Sequence, residues 1–204
     1  INIDLLKQAS TLNKPTIISL GMSDDAEISK VQPIISRLFT DVALLHCNST
    51  YPAPFFDINL EQIKRLKEIH PIIGYSGHER GIEICIAARS LGADIIERHI
   101  TLDRKSVGPD HAASLEPHEF AAMVDSIRNV EVAMGEPKNK TITQGEKLNR
   151  QILGKSMVAR KALAKGTVLT ESLLEPKCPG TGVSPINKDV LIGKKILEPV
   201  AKGQ

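Results

Sequence analysis

Four times in the first two-thirds of the chain, a short and continuously apolar run rich in β-branched residues is followed by a longer segment with helical spacing. No other feature narrows the possible folds so far. The runs are Thr-Ile-Ile-Ser at 16–19, Val-Ala-Leu-Leu-His at 42–46, Ile-Ile-Gly-Tyr at 72–75 and Asp-Ile-Ile-Glu at 94–97. Continuous rather than alternating hydrophobicity marks strands covered on both faces, as in a parallel sheet. The segments at about 25–39, 60–69, 81–91 and 117–134 read as helices, with Gly92 and Gly135 as their C-terminal stops. Four βα units make half of an eightfold barrel, and an isolated half leaves two sheet edges unpaired. Residues 1–136 are therefore expected to form the C-terminal half of a (β/α)8 TIM barrel, a fragment reading with which the missing initiator Met agrees. A small open α/β sheet is the other arrangement of the same units.

A polar stretch at 137–150 has the composition of a linker, and residues 151–204 carry short strands broken by Gly and Pro, the signature of a small β-rich module. Ala164-Lys165-Gly166 recurs as Ala201-Lys202-Gly203, as if the module had two related halves, and the second copy stops so early that the module is expected to be truncated. Charge changes sign near Pro137. Residues 137–204 carry 13 Lys+Arg against 5 Asp+Glu, a net of +8, which leaves −6 and all six histidines for residues 1–136. The basic part has no aromatic residue to stack on bases, so nucleic acid is not expected and an anionic metabolite is the better partner. No apolar run approaches the roughly 18–20 residues that span a bilayer, so no membrane association is expected. Cys47, Cys85 and Cys178 are odd in number and far apart, which argues against a disulfide framework or cysteine zinc site and for a reducing cytoplasm.

In a parallel barrel, reactive groups stand where strands end and loops begin. Here those positions are polar each time: Ser19 and Gly21, the stretch His46 to Tyr51, Ser76 to His78, and Glu97 to Thr101. Glu97 and His99 are two apart and so share a face. His78 lies 21 residues before His99, one βα unit, which places the two on adjacent strands about 5 Å apart. Two such histidines with open positions suit a catalytic divalent metal, whereas a structural zinc site would want four closed ligands. His46, by its alternation, reads as a packed structural residue; His111 and His118 read as loop and helix-start residues, and Cys85 as core.

At these residues the chain resembles the sialic acid synthase family, enzymes that join phosphoenolpyruvate to N-acetylmannosamine or a related sugar. The segments LLHCNSTYPAP, GYSGHERG, LGADIIERHITLDR, GPDHAASLEPHEF and CPGTGVSP follow the family's motifs in order. The resemblance implies a TIM barrel joined to a C-terminal cap like type III antifreeze protein, the SAF domain, with this chain starting just after the fourth strand and the family's phosphate-binding lysines upstream. It implies that His78 and His99 hold Mn²⁺ or Mg²⁺, and that Ser49, Tyr51 and Ser76 line the substrate site. Glu97 and Asp110 would face the acceptor sugar as general acid and base while phosphate leaves by C–O cleavage. It further implies a homodimer whose caps cover the partner's barrel mouth, bringing Lys177 and Cys178 toward the acceptor. Three positions depart from the family's pattern: Gly77 stands for a carboxylate, Leu20 for a threonine, and Cys178 for an arginine that contacts the acceptor.

Two other classes compete. A TIM-barrel metal hydrolase would want further ligands, such as a His-x-His, and none occurs. A non-catalytic carbohydrate-binding relative is disfavoured by the joint presence of His78, Glu97, His99 and Asp110, although Gly77 and Cys178 speak for it.

Overall fold

In the computed structural model, which describes residues 1–204, the four apolar runs pair as one parallel sheet: β1 (Thr16–Ser19), β2 (Val42–Cys47), β3 (Ile73–Gly77) and β4 (Ile96–Arg98), in the order β1-β2-β3-β4. Each crossover moves one place in the same direction, and right-handed crossovers of that kind put every helix on one face. A doubly wound sheet would reverse its order part-way. The sheet is therefore an arc of a barrel and not an open α/β sheet.

The helices are α1 (Ile3–Ser10), α2 (Asp25–Leu38), α3 (Gln62–Ile69), α4 (Glu83–Ser90), α5 (Pro117–Met134) and α6 (Gln144–Leu153). The sequence periodicity finds α2 to α5 to within two residues at each end. It misses α1, an eight-residue helix with no buried residue, whose start is fixed by Asn2 accepting from the Leu5 amide at 3.1 Å. The stretch 137–150, read as a linker, also needs correction. Its second half opens α6, because Thr143 and Glu146 form a reciprocal capping box. Gly92 and Gly135, expected as helix stops, both have positive φ.

Register sorts the strand residues onto two faces. Leu45 pairs with Gly74, Cys47 with Ser76, and Ser76 with Glu97, so these side chains share one face, together with Ile17 and Ser19 of β1. On the opposite face Ile18, Leu44, Ile73, Tyr75 and Ile96 pack with Val31 and Ile35 of α2, Ile63 and Leu66 of α3, Cys85 and Ala88 of α4, and Met123 and Ile127 of α5. That helix-covered face is the main core. The other face is the barrel lumen, apolar near the strand starts (Ala43, Leu45) and polar near their ends (Ser19, Cys47, Ser76, Glu97).

The chain divides into two units, Ile1–Glu136 and Pro137–Gln204. In the second, β5 (Ser156–Ala159) and β6 (Leu174–Lys177) pair antiparallel over a small core of Ala159, Leu163, Leu169 and Leu174. The repeated Ala-Lys-Gly is a structural repeat. Leu163 and Val200 exchange both backbone hydrogen bonds at 2.9 Å, Gly166 donates to Ile196 as Gly203 does to Ala159, and Ile196 donates to Thr167 as Ala159 does to Gln204. The paired residue numbers differ by 37 throughout (163/200, 166/203, 159/196, 167/204), so the two halves are related by a pseudo-twofold axis through the Leu163–Val200 pair. Gly166 and Gly203 stand in the left-handed region, φ 86° and 84°, which is why glycine recurs in both copies.

Candidate active site

The ends of β2, β3 and β4 converge on one cluster. His78 follows β3 and is buried, its Nδ1 bonded to the Asn48 backbone oxygen at 2.7 Å. That bond fixes Nδ1 as the donor and leaves Nε2 with the free lone pair. His99, after β4, lies with its ring centroid 5.1 Å from that of His78, edge to face. The Tyr51 ring packs against both, 4.1 Å from His78 and 5.6 Å from His99. From the neighbouring pair on the lumen face, Ser76 Oγ donates to Glu97 Oε1 at 2.7 Å. The expected neighbours His78, His99, Tyr51, Ser76 and Glu97 are thus brought together.

Ser49 joins them through Cys47. The Cys47 thiol lies 3.8 Å from Ser49 Oγ and 3.7 Å from His78 Nδ1. Burial alone would raise the Cys47 pKa, but hydrogen bonds from His78, Ser19 and Ser49 and the His78 charge outweigh it and hold the thiol below its usual value. Reciprocally, desolvation would lower His78, and its bonds to Cys47 and Asn48 raise it instead. Asp110 precedes a short 3-10 turn and is exposed, with its backbone oxygen taken by Ser114. No hydrogen bond or ion pair joins its side chain to the cluster; the Tyr51 phenol is raised by burial first and then by the charges of Cys47, Asp110 and Glu97. Lys177 and Cys178 belong to the second unit. There Lys177 Nζ pairs with Glu175 Oε1 at 2.8 Å, and the exposed Cys178 thiol donates to the Leu153 backbone oxygen at 3.3 Å.

Of the remaining four histidines, His118 is exposed near the start of α5 and the other three are structural. His46 Nε2 bonds the Ile58 oxygen at 2.7 Å, His70 the Val42 oxygen at 2.9 Å, and His111 the Thr101 hydroxyl at 2.8 Å. Two features escape the sequence reading. Cys47 has the lumen parity of Ser49, a signal that was available. The other is a fully buried ion pair, Arg98 Nη1 to Glu79 Oε1 at 2.8 Å, on the helix side of the same strand ends. A charged residue inside an apolar strand is the sign that a partner must exist.

As a donor set, two imidazoles with no group of three His, Cys, Asp or Glu arranged around one ion fit an ion that keeps most of its shell as water and substrate oxygen.

Residues 1–139 match the NeuB family and residues 154–204 the SAF domain. The chain belongs to the NeuB family. Among NeuB relatives it is 40% identical over 197 residues to an N,N'-diacetyllegionaminic acid synthase of Campylobacter jejuni, covering 95% of this chain and 59% of that protein. It is 41% identical over 203 residues to a human N-acetylneuraminate-9-phosphate synthase, covering 96% and 55%. In structure it is similar to an N-acetylneuraminic acid (sialic acid) synthetase from Leptospira borgpetersenii, with TM-score 0.66, 36% identity, and 72% and 52% of the two chains covered. The chain thus spans little more than half the length of these NeuB proteins. No helix is long and apolar enough to cross a membrane.

Proposed function

We propose that this chain carries the condensing site and cap of an enzyme that joins phosphoenolpyruvate to a 2-acetamido sugar such as N-acetylmannosamine, giving a sialic-acid-like nonulosonic acid and phosphate. One observation carries the reading: in a NeuB chain, His78, His99, Tyr51 and the Ser76–Glu97 pair meet at the polar end of the lumen. The names of the relatives, synthases of legionaminic and neuraminic acids, support it.

His78, through its free Nε2, and His99 would hold Mn²⁺ or Mg²⁺. Such an ion, when bound, supplies Lewis-acid polarisation of an acceptor carbonyl. The protein's own groups do the rest. Ser49, Tyr51 and Ser76 line the space around the reactants, and the Tyr51 ring packs against His78 at a tilt of 36°. Glu97, held by the Ser76 hydroxyl, and Asp110, on the exposed turn after β4, are the proton carriers needed when water adds and phosphate departs. Gly77, in place of a carboxylate, does not empty the site of acid groups. Lys177 and Cys178 belong to the cap that, in a homodimer, covers the partner's barrel mouth, and a cytoplasmic location completes the reading.

The test is phosphate release by the full-length protein given phosphoenolpyruvate, Mn²⁺ and a panel of 2-acetamido sugars, with product mass as the second readout. Release that depends on sugar and metal is expected, with His78→Ala or His99→Ala lowering turnover at least 100-fold. Metal-stimulated hydrolysis of phosphoenolpyruvate without sugar dependence, or either variant retaining full activity, overturns it.

A further inference from the structure

We propose that Glu79 and Arg98 are positioning residues whose buried ion pair sets the spacing of His78 and His99. The inference rests on reading the two histidines as site residues, and its test separates the two claims. Glu79 follows His78 and Arg98 precedes His99, so each pair puts one side chain on the lumen face and the next on the helix face. The imidazoles meet at 5.1 Å on one side and the charges at 2.8 Å on the other. The ion pair is thus a mirror of the histidine pair through the same two strand ends.

Both charged side chains are 0% exposed. The Arg98 fork ties its own strand to two further segments: Nη1 also donates to the Gly81 oxygen at 2.8 Å, and Nη2 donates to the backbone oxygens of Glu79 at 2.5 Å and Ala113 at 3.2 Å. Glu79 Oε2 accepts from Tyr75 at 2.7 Å. The strand residue between is constrained by the same pair. A Cβ on Gly77 would come within 2.9 Å of Arg98 Cδ and Glu79 Oε1 and 2.8 Å of Tyr75 Cε1, so the glycine leaves the room that the pair occupies.

A stabilising role alone accounts poorly for this arrangement. Taking two charges out of water costs about as much as their attraction returns, and apolar residues of like volume often serve the fold equally well. The Arg98 Nε is moreover buried without a partner. What the fork provides is geometry: a planar donor set that allows one placement of the turn carrying His78 against the strand carrying His99.

The experiment compares Glu79→Met, Arg98→Met, Arg98→Lys and the Glu79→Met/Arg98→Met double variant with the wild type in the full-length protein. Each is followed by melting temperature, by Mn²⁺ affinity from EPR titration, and by metal-free amide exchange over residues 78–82 and 97–101. The single Met variants, each leaving a charge buried alone, are expected to melt lower, and the double variant to recover most of that loss. It should nonetheless bind Mn²⁺ about 10- to 100-fold more weakly, the range for lost support of metal ligands, and exchange those amides faster. Arg98→Lys, which keeps charge without the fork, should fall between and gives the same comparison if the double variant does not fold. A folded double variant, or failing that the Lys variant, that matches wild type in both affinity and exchange overturns the inference. If the wild type itself binds no Mn²⁺, the metal reading falls and exchange alone decides: unchanged protection refutes the clamp, and lost protection sustains it.

Discussion

Gly21 sits just past the end of β1, beside the end of β2 and the loop that follows it. A Cβ there would stand 2.2 Å from Ser49 Oγ and 3.1 Å from Cys47 Sγ, both side chains of the candidate site. Gly21→Ala should therefore push Ser49 aside and cost about 1–3 kcal/mol, the usual range for overpacking. Adding Ser49→Ala should return part of the loss in urea unfolding, and a Gly21→Ala protein as stable as wild type would show that the approach is looser. The thiols differ as sharply. Burial pushes the Cys85 thiol up to about 12, whereas the half-buried Cys47 is held below its ordinary value. Since only the thiolate is nucleophilic, Cys47 should become alkylated at lower pH than an unperturbed cysteine, and Cys85 only on unfolding. Peptide mass spectrometry after iodoacetamide treatment across pH 6–9 reads this, and Cys85 labelled as fast as the exposed Cys178 would contradict it.

Among the elements, legibility followed burial. The strands and α2 to α5 could be read because each must hide an apolar face, and hiding it leaves a period in the sequence. Helices α1 and α6 bury nothing fully; their few apolar residues at helical spacing, Leu5 and Ala9 in one and Leu148 and Ile152 in the other, sit in short polar stretches and do not set them apart from a linker. The site divides the same way. His78, His99, Ser76 and Glu97 could be placed because strand parity and the 21-residue interval between the histidines fix their faces. The Glu79–Arg98 pair could not, because its partners come from a turn and a strand whose approach depends on the turn's path, and parity says nothing of that path. The repeated Ala-Lys-Gly lies between these cases. Its recurrence was visible, but the exchange of hydrogen bonds between its halves needed the fold.

At the scale of the whole chain, the sheet's shape carries a consequence for its association. Four strands in consecutive order curve into an arc, and β1 and β4 each pair with one neighbouring strand only. An unpaired edge is a template for another strand. The lumen face that a closed barrel would cover includes Ile17 of β1, 54% exposed here and pointing to the same side as Ser19. Opposite net charges on the two units, −6 and +8, add attraction between copies at low salt without selecting a register. The 204-residue chain expressed alone should therefore associate with rising concentration in size-exclusion chromatography with light scattering. Ile17→Lys, which places a charge on the lumen side of the open edge, should weaken that association by the device natural edge strands use. Salt separates the two contributions, since edge pairing survives 0.5 M NaCl and attraction between surface charges does not. A monodisperse monomer at every concentration would mean that the arc's edges are protected by the chain itself, and association abolished by salt but indifferent to Ile17→Lys would assign it to charge rather than to the open sheet.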